Sequence, residues 1–149
     1  MSSQSQSTEE VLHGLTAAEI KTLTTKCIEA KSTAYCPYSR FHVGATVLTR
    51  DGTYISGANV ENASYPVGTC AERVALGTAV VSGYRLGSIR AIGVATDIKP
   101  PASPCGMCRQ FISEFCEPDM PIFMHDKDGE YVVMTIGEVS FNPCLIDLY

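Results

Sequence analysis

Cys70-Ala71-Glu72, followed one element later by Pro104-Cys105-Gly106-Met107-Cys108, is the stretch on which the reading of this chain turns. The thiols of Cys70, Cys105 and Cys108 can hold a zinc ion, and the Glu72 carboxylate stands beside them without being needed as a ligand. Three protein ligands leave one zinc position open for water, with a general acid/base in reach; a purely structural zinc site takes a fourth ligand instead.

The spacing gives this a local mechanism. Cys105 and Cys108 are three apart and share one helical face. Thr69 is placed to N-cap a helix opening at Cys70, and Ser103 to cap one opening at Pro104-Cys105, with Pro104 at a first position where its missing N–H costs nothing. Both sets of cysteines then lie in first turns, where the helix dipole and free N–H groups favour thiolates. If the two helix starts converge, Cys70 completes a three-sulfur grip. Each part also has a plainer reading. A lone C-x-x-C fits a redox pair or two core cysteines, and Thr69-x-x-Glu72 matches a capping box. Taken together, Cys70, Glu72, Pro104, Cys105 and Cys108 make the C-x-E … P-C-x-x-C variant of the zinc deaminase signature.

Around these motifs the chain reads as alternating helices and strands. A capping box at Thr16 and Glu19 opens a helix whose Ile20, Leu23, Cys27 and Ala30 form one apolar face, fading near Tyr35 because Pro37 disfavours helix before it. Phe41 to Thr49 reads as a strand with Phe41, Val43, Ala45 and Val47 on one side. Arg50-Asp51-Gly52 turns it into a partner strand, Tyr54 to Val60. After a loop, a helix is expected from Cys70 to about Val81, ending near Gly83. Ile89 to Ala95 is a nearly continuous apolar strand, as in a sheet covered on both faces. A helix from Cys105 to about Phe115 should bury Phe111, Ile112 and Phe115. Ile122 to Met124 and Tyr131 to Met134 are late strands, and a short helix includes Ile136 to Val139. The pattern predicts an α/β fold, three layers around a mixed sheet with an antiparallel opening hairpin.

The bulk properties narrow the function. The 149 residues are 45% hydrophobic and 18% charged, ordinary for one soluble domain with a full core. Residues 1–13 are expected to be a flexible lead-in and 14–149 a single domain. No apolar run approaches a membrane span. The start lacks the layout of a signal peptide, and Glu9-Glu10 argue against a transit peptide, so a cytoplasmic protein is expected. The seven cysteines are an odd number, which favours free thiols or metal ligation over a disulfide framework. Cys27, Cys36, Cys116 and Cys144 read as packed small hydrophobes, and His13, His42 and His125 lack metal spacing. A net charge of −5 without a Lys/Arg run weighs against nucleic acid and favours a small neutral substrate.

Four segments, in this order, resemble the small homotetrameric cytidine deaminases: Cys36-Pro-Tyr-Ser-Arg-Phe-His-Val-Gly-Ala45, Gly57-Ala-Asn-Val-Glu-Asn62, Cys70-Ala-Glu-Arg73 and Ser103-Pro-Cys-Gly-Met-Cys-Arg-Gln110. The resemblance implies a three-layer α/β/α cytidine deaminase-like domain with a five-stranded sheet. It also implies one Zn²⁺ per subunit on Cys70, Cys105 and Cys108, with Glu72 moving protons. The reaction would be hydrolytic deamination of cytidine, and of 2′-deoxycytidine, to the uridine product and ammonia in pyrimidine salvage. Asn59 and Glu61 would hold the ribose hydroxyls. Phe41 would pack on the pyrimidine, or serve as an inward strand residue, or both. The Ala71 N–H would bind the pyrimidine O2. Tyr65 would reach a neighbouring subunit's site, or be an ordinary loop tyrosine. Arg73 would donate to the sulfurs and offset the net −1 of three thiolates and Zn²⁺; a plain exposed arginine is the alternative. The family's last segment is shortened here, where Glu138 runs directly to Phe141-Asn142-Pro143, and Phe141 would be the aromatic contributed across subunits. Competing readings are a closed structural zinc module, a polynucleotide cytosine editor, and a deaminase for a nucleoside-like antibiotic such as blasticidin S. Asn59-Val60-Glu61-Asn62 favours the ordinary nucleoside.

Overall fold

The computed structural model describes residues 11–141, the side chain of Phe141 excepted. The elements run α1 (Ala17–Ala30), β1 (Gly44–Thr49), β2 (Tyr54–Ala58), α2 (Ala71–Val81), β3 (Ile89–Ala95), α3 (Gly106–Phe115), β4 (Pro121–His125), β5 (Tyr131–Thr135) and α4 (Ile136–Phe141). The expected flexible lead-in, 1–13, falls mostly outside the described residues; of its last part, Leu12 bridges to Leu15 just before α1.

The five strands form one sheet in the order β2-β1-β3-β4-β5. Only β3 and β4 pair in parallel, so the sheet is mixed and opens on the antiparallel β1–β2 hairpin. That hairpin turns at Gly52, whose φ of 86° is left-handed and suits glycine. The capping box at the start of α1 forms as expected: Thr16 Oγ1 accepts from the Glu19 N–H, and Glu19 Oε2 accepts from the Thr16 N–H.

Helix α1 covers one face of the sheet, over Leu15, Leu23, Leu48, Ala91 and Phe123. Helices α2 and α3 cover the other, over Val47, Ala75, Leu76, Ile92, Ile112 and Ile122. The result is the expected three-layer α/β/α arrangement. Gly57 lets α2 lie close: a Cβ there would stand 2.6 Å from the Ala75 nitrogen. Ile112 is buried as expected, but Phe111 and Phe115 are only half-buried and lean on each other, ring centroids 5.4 Å apart.

Two expectations are corrected. Strand pairing of β1 begins at Gly44 rather than Phe41, because the Asn59 side chain takes over: its Oδ1 accepts from Val43 N at 2.9 Å and its Nδ2 donates to Phe41 O at 2.7 Å. The N-caps of α2 and α3 are Cys70 and Cys105 themselves, not Thr69 and Ser103, and neither helix start has a side-chain cap. Thr69 is held extended by paired backbone bonds with Val60, so the helix starts one residue later. The Glu72 capping box is therefore absent. Among the described residues no helix is long and apolar enough to cross a membrane.

Candidate metal centre and pocket

The starts of α2 and α3 converge. Cys70 and Cys105 occupy the two N-cap positions, and Cys108 follows one turn into α3. Their ligand atoms all lie within 4.8 Å of one another, and the Cys70 and Cys105 sulfurs are 3.8 Å apart. Zinc held tetrahedrally by thiolates at ~2.3 Å requires sulfurs roughly 3.8 Å apart, so this donor set fits the ion. The three thiols are close enough to act on one another. Hydrogen bonds from the Cys108 and Cys70 thiols, then backbone N–H groups, push Cys105 well below the usual thiol range. The same contacts push Cys108 up, and the bond to Cys105 raises Cys70. A cluster already inclined to hold a thiolate suits a cation.

Glu72, in the first turn of α2, is only 5% exposed. Burial pushes its carboxyl above the ordinary value, and the nearby Cys105 charge adds to this. Arg73, the next residue, donates from Nη2 to Cys70 Sγ at 3.7 Å. Its side chain is half-buried.

A cavity of about 460 Å³ opens beside the thiols. Phe41, Asn59, Glu61, Ala71 and Glu72, five residues singled out in the sequence, all line it together with Cys70 and Cys105. Glu61 Oε1 accepts from the Tyr38 and Ser39 N–H groups, 3.1 Å each, and its carboxyl sits below the ordinary value, with hydrogen bonding to Ser39 the largest cause. Its second oxygen, Oε2, has no hydrogen bond among the described residues. Helix α2 carries no side-chain cap at its start, and Ala71, its first residue, lines the pocket. Tyr65 is not in this cavity. It is 74% exposed and lines a smaller hollow of about 270 Å³ with Arg73 and Met107. Phe141 closes α4, but its side chain lies outside the described residues, as does Cys144.

His125 takes no part. It sits across the sheet, with Nε2 2.8 Å from Thr24 Oγ1 and Nδ1 3.2 Å from Val94 O. Cys27, Cys36 and Cys116 are buried free thiols, as expected of packed cysteines. Sequence reasoning missed Thr96 and Arg109, which also line the cavity. Arg109 was within a quoted motif, and its position four residues after the Cys105 N-cap is a signal that it reaches back over the helix start.

Known proteins agree with this geometry. Residues 17–124 match the family model of the cytidine and deoxycytidylate deaminase zinc-binding region. A cytidine deaminase of Halalkalibacterium halodurans is 45% identical over 114 residues, 76% of this chain and 85% of that protein. One of Sporosarcina psychrophila is 40% identical over 121 residues, 81% of this chain and 88% of that protein. The crystal structure of cytidine deaminase from Burkholderia pseudomallei superposes with a TM-score of 0.78 at 40% identity, covering 80% of this chain and 94% of that one. With its three thiols at zinc spacing and its sheet shared with those structures, the chain belongs to the zinc-binding cytidine and deoxycytidylate deaminase family.

Proposed function

We propose that residues 14–149 form one domain that hydrolyses cytidine, and 2′-deoxycytidine, to the corresponding uridine and ammonia. The observation that carries this is a buried carboxyl, Glu72, beside a three-thiol zinc site in the same cavity as Asn59 and Glu61. When bound by Cys70, Cys105 and Cys108, zinc supplies a water acidic enough to ionise near neutral pH, toward pKa ~7.

Glu72 takes the proton of that water and delivers one to N3 of the pyrimidine, while the water oxygen adds at C4. Glu72 then carries a proton to the 4-amino nitrogen as the C4–N bond breaks, and ammonia leaves. Its raised pKa suits a group that must both accept and give. Asn59 and the free Glu61 oxygen bind the ribose hydroxyls, which disfavours free bases lacking the sugar. The Ala71 N–H holds O2, Phe41 packs on the ring, and Arg73 offsets the negative charge of the thiolates.

The exposed apolar side chains of Val60, Tyr65, Val67 and Met107 support a homotetramer in which Tyr65 approaches a neighbour's site. Free thiols at the metal site are consistent with the reducing cytoplasm and a role in pyrimidine salvage. The test follows ultraviolet absorbance as the zinc-loaded protein meets cytidine, deoxycytidine, cytosine and blasticidin S, with and without chelator. Turnover of the two nucleosides alone, lost with the metal, is expected. No turnover of cytidine, or equal turnover of cytosine, would refute the reading. Sedimentation gives the oligomeric state.

A further inference from the structure

Arg109 is 9% exposed, yet no carboxylate pairs with it among the described residues. It also stands in the first turns of α3, where the helix dipole disfavours a cation. A buried charge kept at such a place needs a compensating task. Its contacts name one: Nε donates to Pro104 O at 2.8 Å, and Nη2 donates to Ser103 Oγ at 3.1 Å. Ser103, Pro104 and Cys105 form one wall of the cavity, and Cys105 is a metal ligand candidate on the same turn. A planar guanidinium reaching two acceptors fixes the turn's orientation more firmly than any single bond.

We infer that Arg109 is a positioning residue: its two-pronged grip on Ser103 and Pro104 sets the turn that delivers Cys105 to the metal and walls the substrate pocket. This rests on the deaminase reading above, but it makes a separate claim about metal retention. The three-thiolate site carries excess negative charge when it holds zinc; Arg73 meets that charge at Cys70, while Arg109 acts on the turn that carries Cys105. Outer partners of metal ligands commonly affect metal affinity or activity by 10- to 100-fold.

The test compares wild type with Arg109→Lys and Arg109→Met, each zinc-loaded, by kcat and KM for cytidine, by zinc loss to a competing chelator, and by thermal unfolding. Lysine keeps the charge and reaches one acceptor; methionine keeps only the bulk. The expected order in kcat/KM and in zinc retention is wild type, then Lys, then Met, with Met about 10- to 100-fold down in each. A purely structural arginine would lower the unfolding temperature while leaving kcat, KM and zinc retention of the folded protein at wild-type values, and that result overturns the inference. Ser103→Ala supplies a second check: combined with Arg109→Met it should lose less than the sum of the single losses, because the two share one bond. Additive losses would count against the inference. Should wild type fail to act on cytidine, the proposed function falls, while chelator competition still decides whether Arg109 steadies the metal turn.

Discussion

Each face of the sheet sets cysteine beside an ionisable partner, and the two arrangements differ in what they leave over. Under α1, Cys27 Sγ donates to Thr24 O at 3.3 Å, Thr24 Oγ1 meets His125 Nε2, and His125 Nδ1 meets Val94 O. Neutral histidine with its proton on Nδ1 satisfies the whole set, the hydroxyl of Thr24 donating to Nε2. Between α2 and α3, by contrast, three thiols crowd together with a buried carboxyl, and the Arg73 guanidinium donates only to Cys70. The buried side-chain polar atoms lacking a partner among the described residues, Arg73 Nε and Thr96 Oγ1, belong to residues lining the hollows on this second face. Cysteine and an ionisable neighbour do not make a site; unanswered bonding capacity does.

The contrast breaks most plainly by exchanging the loss of one thiol for another. Cys108→Ala should release zinc and abolish turnover, whereas Cys27→Ala should keep both and cost only about 1–3 kcal/mol of stability. Metal analysis and chemical denaturation read the two outcomes, and zinc loss from the Cys27 variant would erase the distinction. Next in size, Glu72→Gln keeps shape and leaves the thiols untouched, so zinc content should hold while kcat falls by about 10²–10⁴. Substantial residual turnover would remove Glu72 from proton transfer.

Glu61→Gln tests the other end of the cavity. Losing a charged acceptor for ribose should raise KM for cytidine by roughly 10- to 100-fold, with zinc retained. Unchanged KM would detach Glu61 from the sugar. The smallest effect lies across the sheet. Burial lowers the pKa of His125, against the opposing pull of the Val94 carbonyl and of nearby Asp126. The folded form thus stays neutral below the unfolded value of about 6.5, and the unfolded chain binds the extra proton. Stability from this group is present above that pH and lost as the pH falls below it. The urea midpoint should drop from pH 7 to pH 5 more in wild type than in His125→Asn, and equal drops would show that His125 does not contribute.

How far the sequence revealed this depended on whether a residue's partner was local. The Thr16–Glu19 box needs only neighbours three apart, and it formed as read. The cysteine spacing predicts one shared helical face; Cys105 is instead the extended N-cap, with Cys108 one turn into α3. Thr69 misled because its competitor is distant: Val60 pairs with its backbone, which moves the N-cap to Cys70 and the helix start to Ala71. Ser103 misled because its hydroxyl accepts from Arg109, six residues away, instead of capping the helix. The early strand at Phe41 was lost to Asn59, a side chain supplying bonds that a strand partner would otherwise make. Side-chain-to-backbone bonds across loops have no periodicity to betray them, and in the pocket Asn59, Glu61 and Arg109 are all engaged in such bonds.

Asn59 then carries a consequence for how this protein can change. The amide proposed to select the sugar is also the rivet holding the 41–43 segment beneath it. Any variant that retunes recognition at position 59 first loosens the floor on which recognition happens. Glu61 has one oxygen tied and one spare, so it offers a cheaper route to new sugars. A library aimed at altered nucleosides should therefore vary position 61 and its surroundings before it touches 59.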